Sequence, residues 1–205
     1  MTKAFWRVWL LSAGLLSAPL LAKEDTAITS LAAHEHGAAH LTVATTGSGL
    51  EISLDSPAAN LFGFEHLPST PEQRQAIHDV VKTLEDGSAL FLTGDKAACT
   101  QQQVEIDSAQ VARHQQEQGA DPAAEPQHDE HSHGVEHAEH DNGAHHDVMV
   151  LWQFDCAEPQ ALQQLETRLF SRFPEGFSHL QVEWLTADHA GSQVLEQDGL
   201  IRLTP

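Results

Sequence analysis

Three histidines stand within seven residues near the start of the chain, in the segment from His34 to His40. His34 and His36 have the His-x-His spacing, which presents both imidazoles on one side of an extended segment. Gly37 lets the chain bend so that His40 approaches as a third ligand. Three neutral imidazoles with a carboxylate or water as fourth ligand suit Zn²⁺, and the alternative is a solvated N-terminal tail. The spacing indicates a metal site at these three histidines.

The middle of the chain holds a second and denser group of histidines. Residues 114–147 contain eight histidines and nine carboxylates, and no Lys or Arg occurs from His114 to Thr167. Almost nothing in the segment is apolar, so it cannot form its own core and we expect a disordered insertion. Tracts of this composition bind divalent metals, whereas a solvated acidic linker would explain the carboxylates but not the histidines. The candidate ligands are His128, His131, His133, His137, His140, His145 and His146.

One part of this insertion matches a catalytic pattern. His133, Glu136 and His137 have the H-x-x-E-H spacing of zinc peptidases, in which the glutamate is a general base. Such a match arises by chance in a tract this rich in His and Glu, and no apolar stripe flanks it to hold a catalytic helix. If the tract coils on metal binding, His133, His137 and His140 share one helical face. We therefore expect several labile metal sites and no enzymatic activity, with a zinc-dependent hydrolase as the less favoured alternative.

The charge balance of the chain limits the classes of molecule that it can bind. Its 205 residues include 10 Lys and Arg against 30 Asp and Glu, which gives a formal net charge of −20. Nucleic-acid binding needs clustered basic residues, so this balance excludes nucleic acid as a partner. Cations are the expected ligands, because histidine with carboxylates suits Zn²⁺ first, with Ni²⁺ or Cu²⁺ as competitors.

Residues 1–22 have the pattern of a secretory signal peptide, with two basic residues ahead of an apolar stretch that ends at Leu21. An uncleaved membrane anchor is the alternative, but the stretch is shorter than the roughly 20 residues that a membrane span requires. Cleavage after Ala22 would leave residues 23–205 as a single exported domain without membrane insertion. We expect this domain to be a monomer.

Cys99 and Cys156 are the only cysteines of the chain. An even pair in an exported protein, with each cysteine near the end of a predicted strand, favours a disulfide bond. A buried pair of free thiols and a pair of thiolate metal ligands are the alternatives. The bond would enclose residues 100–155, which include the histidine-rich insertion.

The first half of the predicted domain follows the order ββαββ. Residues 41–43 and 50–54 alternate apolar and polar side chains around a Gly-Ser-Gly turn, which predicts a hairpin. Thr70 as N-cap, Pro71 at the first position and Gln73 in a capping box predict the start of an amphipathic helix. Two further strands are predicted at residues 89–92 and 103–107.

The second half follows the order βαβββ. Residues 148–154 are apolar on both parities, which predicts a central strand, and a stripe of apolar residues predicts a helix from Pro159 to Phe173. Three more strands are predicted at residues 180–184, 194–195 and 200–203. The expected fold is α+β, a mostly antiparallel β-sheet packed with two helices and interrupted by the insertion.

Three parts of the chain together resemble the ZrgA-type zinc-regulated periplasmic proteins of Gram-negative bacteria. They are the segment from His34 to Leu41, the block from Ser56 to His66, which contains Asn-Leu-Phe-Gly-Phe-Glu-His, and the histidine-rich insertion between two strands. The resemblance covers essentially the whole mature chain. It implies a periplasmic zinc-binding protein that works with an ABC importer and is induced when zinc is scarce. Family histidines carry over to His34, His36 and His40, and to the insertion only as a group.

These expectations combine into a zinc carrier. A folded core holds a better-defined histidine site near the N-terminus, and the insertion gathers further zinc as a low-affinity buffer. A sequestration or resistance protein without a transporter would use the same residues, and its expression would rise in zinc excess instead of zinc starvation.

Overall fold

The computed structural model describes residues 35–119 and 147–204. The strands are β1 (Ala38–Thr46), β2 (Gly49–Pro57), β3 (Phe91–Leu92), β4 (Cys99–Asp107), β5 (Asp147–Cys156), β6 (Gln164–Thr167), β7 (His179–Leu185), β8 (Ala190–Leu195) and β9 (Gly199–Arg202). The helices are α1 (Ala58–Phe62), α2 (Pro71–Glu85), α3 (Gly87–Leu90), α4 (Ala109–Gly119) and α5 (Leu169–Arg172), and a 3₁₀ turn spans Pro159–Ala161. The expected signal peptide and residues 120–146 of the insertion lie outside the described residues.

Two β-sheets organise the described residues. The larger sheet has six strands in the order β4-β5-β2-β1-β7-β8, and the smaller one has the order β3-β6-β9. All pairings are antiparallel except that of β1 with β7, which is parallel. The expected α+β fold with a mostly antiparallel sheet is therefore confirmed.

The hairpin of β1 and β2 shows why one side of the larger sheet is buried. Leu41 lies opposite Leu54 and Val43 lies opposite Ile52, and all four side chains are fully buried, as their alternation predicts. His40 has the opposite parity and is exposed, which is also as predicted. We call the exposed side, which carries the outward residues of all six strands, the open face.

Helix α2 covers the buried side of the larger sheet. The Thr70 side chain accepts a hydrogen bond from the Gln73 backbone and the Gln73 side chain accepts one from the Thr70 backbone, so the predicted capping box is confirmed. Ile77 and Leu84 are buried on the inner side of the helix. The Trp152 indole donates a hydrogen bond to the Leu84 carbonyl at 2.6 Å, which ties the helix to β5.

The prediction of a long helix from Pro159 to Phe173 is wrong. Helical geometry is limited there to the 3₁₀ turn and to the four residues of α5, and β6 lies between them. Leu165 and Thr167 are both fully buried, as expected of alternate residues in a strand. β6 pairs with β3 on one side and with β9 on the other. The apolar residues that fit a helical spacing instead belong to a strand followed by a single helical turn. The local pattern does not show this, because the partner strands that pair with β6 are distant in sequence.

Two other boundaries differ from the predictions. Residues 89 and 90 belong to α3, whose N-cap Asp86 accepts a hydrogen bond from the Ala89 backbone, so only Phe91–Leu92 form a strand. The insertion was expected to begin at His114, but helix α4 continues to Gly119. His114 is buried within this helix, and the domain therefore has more helices than the two expected.

The disulfide prediction is confirmed. Cys99 and Cys156 are cross-strand partners at the ends of β4 and β5, and their sulfur atoms are bonded. Within residues 35–119 and 147–204, no helix is long and apolar enough to cross a membrane.

Candidate metal centre

A tight turn orients the N-terminal histidine motif. The Ala38 backbone donates a hydrogen bond to the Glu35 carbonyl at 3.0 Å, and Gly37 within this turn has a φ of +88°. The Gly37 carbonyl accepts hydrogen bonds from the Ser178 and His179 backbones at 2.7 and 3.1 Å. A side chain at position 37 would meet Ser178 and would be strained at this φ, so glycine is required there. The turn is thus fixed against the start of β7.

Asn60 holds the other side of the same turn. Its Oδ1 accepts a hydrogen bond from the Gly37 backbone at 2.7 Å, and its Nδ2 donates to the Ala38 carbonyl at 2.8 Å. Nδ2 also donates to the Ser56 hydroxyl at 3.2 Å. Because Asn60 is buried in helix α1, it fixes the turn that carries His36 relative to the core.

His36 lies against a carboxylate. Its Nε2 is 2.8 Å from Glu65 Oε1, and the exposed fractions of the two side chains are 68% and 23%. The Glu65 carbonyl accepts a hydrogen bond from Gln110 in helix α4 at 2.5 Å, which ties this residue to the folded body. A histidine paired with a carboxylate matches two roles at zinc sites: both side chains bind the metal, or the carboxylate orients the imidazole.

His66 follows Glu65 but has different contacts. Its Nδ1 donates to the Leu67 carbonyl at 2.8 Å, its Nε2 lies 3.4 Å from Gln73 Nε2, and its ring stacks on Phe64. These contacts engage both ring nitrogens, so His66 has a local structural role at the start of α2. Glu65 is the member of this block that reaches the N-terminal motif.

The other predicted ligands are placed differently. His40 lies on the open face, with Asp55 as its cross-strand neighbour on β2. His34 and the insertion histidines lie outside the described residues; they are His128, His131, His133, His137, His140, His145 and His146. Within the described part of the chain, no three His, Cys, Asp or Glu side chains come together as a metal site. The pair of His36 and Glu65 is therefore a candidate for part of a metal site.

The insertion is attached close to this pair. At its N-terminal end, Glu117 in helix α4 forms ion pairs with Arg113 at 2.9 Å and with Arg74 at 3.7 Å. Arg74 lies in the first turns of α2, which begins a few residues after Glu65. At the C-terminal end, Asp147 lies opposite Pro57, the residue that precedes helix α1. The C-terminal attachment point therefore lies beside the residue that leads into α1, and the N-terminal one contacts α2.

The contacts of two residues in this region, Glu65 and His114, could not be predicted from the sequence. Glu65 was part of the recognised block, but its contact with His36 spans 29 positions and leaves no local pattern. His114 was counted with the insertion, whereas its ring lies 6.4 Å from that of His78 across helices α4 and α2. The only sequence signal for the contact with His78 is the position of His114 on the inner side of α4.

Comparison with known proteins shows the family of the chain. No match was found among curated proteins. Residues 33–200 match the family described as ZrgA family zinc uptake protein, which covers the N-terminal turn, the Glu65 block and both sheets. Zinc uptake is a transport role and not a class of enzyme. The chain belongs to the ZrgA family of zinc uptake proteins.

Proposed function

We propose that this protein captures Zn²⁺ in the periplasm and delivers it to an ABC-type importer. Zinc is the cargo, and Ni²⁺ and Cu²⁺ compete for the same imidazoles because they favour nitrogen ligands at least as strongly. Export is supported by the disulfide between Cys99 and Cys156, since such bonds persist in oxidising compartments. The protein acts as a monomer and without chemistry on its cargo.

The contact between His36 and Glu65 is the observation that carries the proposal. The turn around Gly37 and the buried Asn60 fix the backbone next to His36, and the imidazole lies in contact with the carboxylate of Glu65. This preorganisation lowers the entropy cost of binding. His34, two residues before His36, and His40, at the start of β1, are the further ligands that we propose for this site.

The histidines of the insertion form the second part of the proposal. They supply several weak sites that raise the local zinc concentration, and the carboxylates among them attract cations. Because helix α4 and strand β5 attach this segment beside the His36 turn, captured zinc is released close to the tighter site. The insertion thus acts as a low-affinity buffer for that site.

Calorimetric zinc titration of the mature protein tests the capture site. We expect His36→Ala to weaken the tightest binding phase about tenfold or more. His189→Ala removes an exposed imidazole from the turn after β7 and is the matched control, with no expected change in that phase. Equal effects of the two substitutions would show that the N-terminal motif is not the tight site.

The transport role is tested separately by expression and growth. We expect synthesis of the protein to rise in zinc starvation, and a strain that lacks it to grow more slowly in zinc-depleted medium. Induction by excess zinc would instead identify a sequestration protein with the same ligands.

A further inference from the structure

The open face has an unusual distribution of charge. Its outward side chains include seven carboxylates from four of the six strands, namely Glu51, Asp55, Glu105, Asp107, Asp147, Asp155 and Glu183. None of the six strands contains a Lys or Arg. The basic residues of the described chain all lie elsewhere; they are Arg74, Lys82, Lys96, Arg113, Arg168, Arg172 and Arg202. Charges of only one sign therefore project from this face.

The same face carries exposed apolar side chains. Met149, Leu185 and Val194 are exposed to 52%, 60% and 62%, and the strand register places all three on the open face. Met149 lies between Asp107 on β4 and Asp55 on β2. Leu185 and Val194 have uncharged cross-strand neighbours, and exposed apolar side chains on a face that also carries charges are typical of a surface that meets another protein.

The size of the open face suits a protein partner. Six strands spaced about 4.8 Å apart span about 24 Å, and strands of six to ten residues extend about 20–34 Å. The resulting area is roughly 600 Å², which is close to the roughly 800 Å² that each partner contributes to a standard interface. A single ion or small molecule would use only a small part of this area.

We propose that the open face docks a protein surface on which Lys and Arg surround apolar side chains. A basic partner is the occupant that the one-sided charge favours, because opposite charges speed encounter and like charges exclude other acidic proteins. His40 lies within this face, two residues along β1 from the turn that Asn60 holds. The inference rests on the proposed function, because the docked partner is the protein that receives the zinc. Docking beside His40 keeps the distance between the proposed zinc site and the partner short.

Two triple variants of the full mature protein test the docking surface. The first carries Glu51→Lys, Glu105→Lys and Glu183→Lys on the open face. The control carries Glu85→Lys, Glu158→Lys and Glu175→Lys, which are exposed carboxylates outside the six strands. Both variants change the net charge equally, so a difference between them reports position and not charge.

The probe is a decalysine peptide titrated into isotope-labelled protein, with backbone-amide NMR as the readout. We expect shift changes on the six strands, a dissociation constant raised about tenfold by the open-face variant, and a change of about twofold in the control. Shift changes confined to residues 114–147, or equal weakening in both variants, would overturn the proposal.

Growth in zinc-depleted medium supplies the second readout, in a strain whose own copy is deleted. We expect the control variant to restore growth and the open-face variant to fail, although both bind zinc like the unmodified protein in calorimetry. Growth with both variants would overturn the docking surface. Absence of zinc binding by the unmodified protein would instead reject the proposed function, and the peptide titration would still decide whether the face docks a basic surface.

Discussion

The Nε2 atom of His36 lies 2.8 Å from Oε1 of Glu65, although 29 positions separate the two residues in the chain. The contact forms because the turn around Gly37 is fixed by Asn60 on one side and by the start of β7 on the other. Glu65 is fixed independently by its carbonyl, which accepts a hydrogen bond from Gln110. The backbone on both sides of the pair is therefore held by hydrogen bonds of the fold.

We expect Glu65→Gln to weaken the tightest zinc site about 10- to 100-fold, whether the carboxylate binds the metal or orients His36. Glutamine keeps the size of the side chain but removes its negative charge. Competition with a chelator of known affinity measures the change. Glu158→Gln is the matched control, and an equal loss in both variants would contradict a specific role for Glu65.

We expect Asn60→Ala to lower the free energy of unfolding by about 1–3 kcal/mol, because the substitution leaves the Gly37 backbone N–H and the Ala38 carbonyl without their partner. Urea denaturation followed by tryptophan fluorescence measures this loss. Gln75→Ala, which removes an exposed hydrogen bond to Asp79, is the control with a change of less than about 0.5 kcal/mol. If the two variants were equally stable, Asn60 would not be the clamp of the turn.

We expect replacement of both cysteines by alanine to lower the free energy of unfolding by about 4 kcal/mol, since the bond closes a loop of more than fifty residues in the unfolded chain. Denaturation with and without a reducing agent gives the same comparison in the unmodified protein. The double variant should not respond to the reducing agent. A reductant effect that persisted in this variant would point to a different cause.

We expect replacement of residues 120–146 by a short Gly-Ser linker to reduce the number of bound zinc ions while the tightest phase changes less than about threefold. Calorimetry gives both quantities in one titration. A scrambled insertion of equal composition is the control and should keep the stoichiometry, because labile sites depend on composition more than on order. Unchanged stoichiometry after replacement would reject the buffer role.

We expect zinc to be released as the pH falls from about 7.5 to about 5, because imidazoles bind metal only when they are deprotonated. Protons compete with the metal, so the zinc-bound state is favoured at the higher pH. Equilibrium dialysis at several pH values, with zinc measured by atomic absorption, follows the release. Retention of all the zinc at the lowest pH would argue against histidine ligands.

Elements with strong local signals were predictable from the sequence. Thr70 and Gln73 specify the start of α2 by hydrogen bonds within four residues, Pro71 occupies its first position, and the structure confirms each of these features. The buried residues of the hairpin formed by β1 and β2 were predictable in the same way from the alternation of apolar and polar side chains, because the two strands are adjacent in sequence. Local hydrogen bonding and periodicity were sufficient in both cases.

Distant pairing explains what the sequence did not predict. Leu162, Leu165 and Leu169 have a spacing that fits a helix, but the region forms β6 because β3 and β9 offer backbone partners on both sides. The contact of His36 with Glu65 has the same origin, since a long-range contact carries no periodic signal. The sequence therefore identifies the N-terminal motif as a candidate site, but it does not identify Glu65 as the carboxylate that contacts this motif.

The parallel pairing of β1 with β7 determines when the N-terminal motif acquires its geometry. The Gly37 carbonyl binds backbone groups 141 and 142 positions further along the chain, so the turn cannot close until that distant strand is available. Contacts of such long range form slowly. A chain threaded across a membrane from its N-terminus would thus travel with the turn unassembled, and the zinc affinity that we propose for the motif would arise only at the destination.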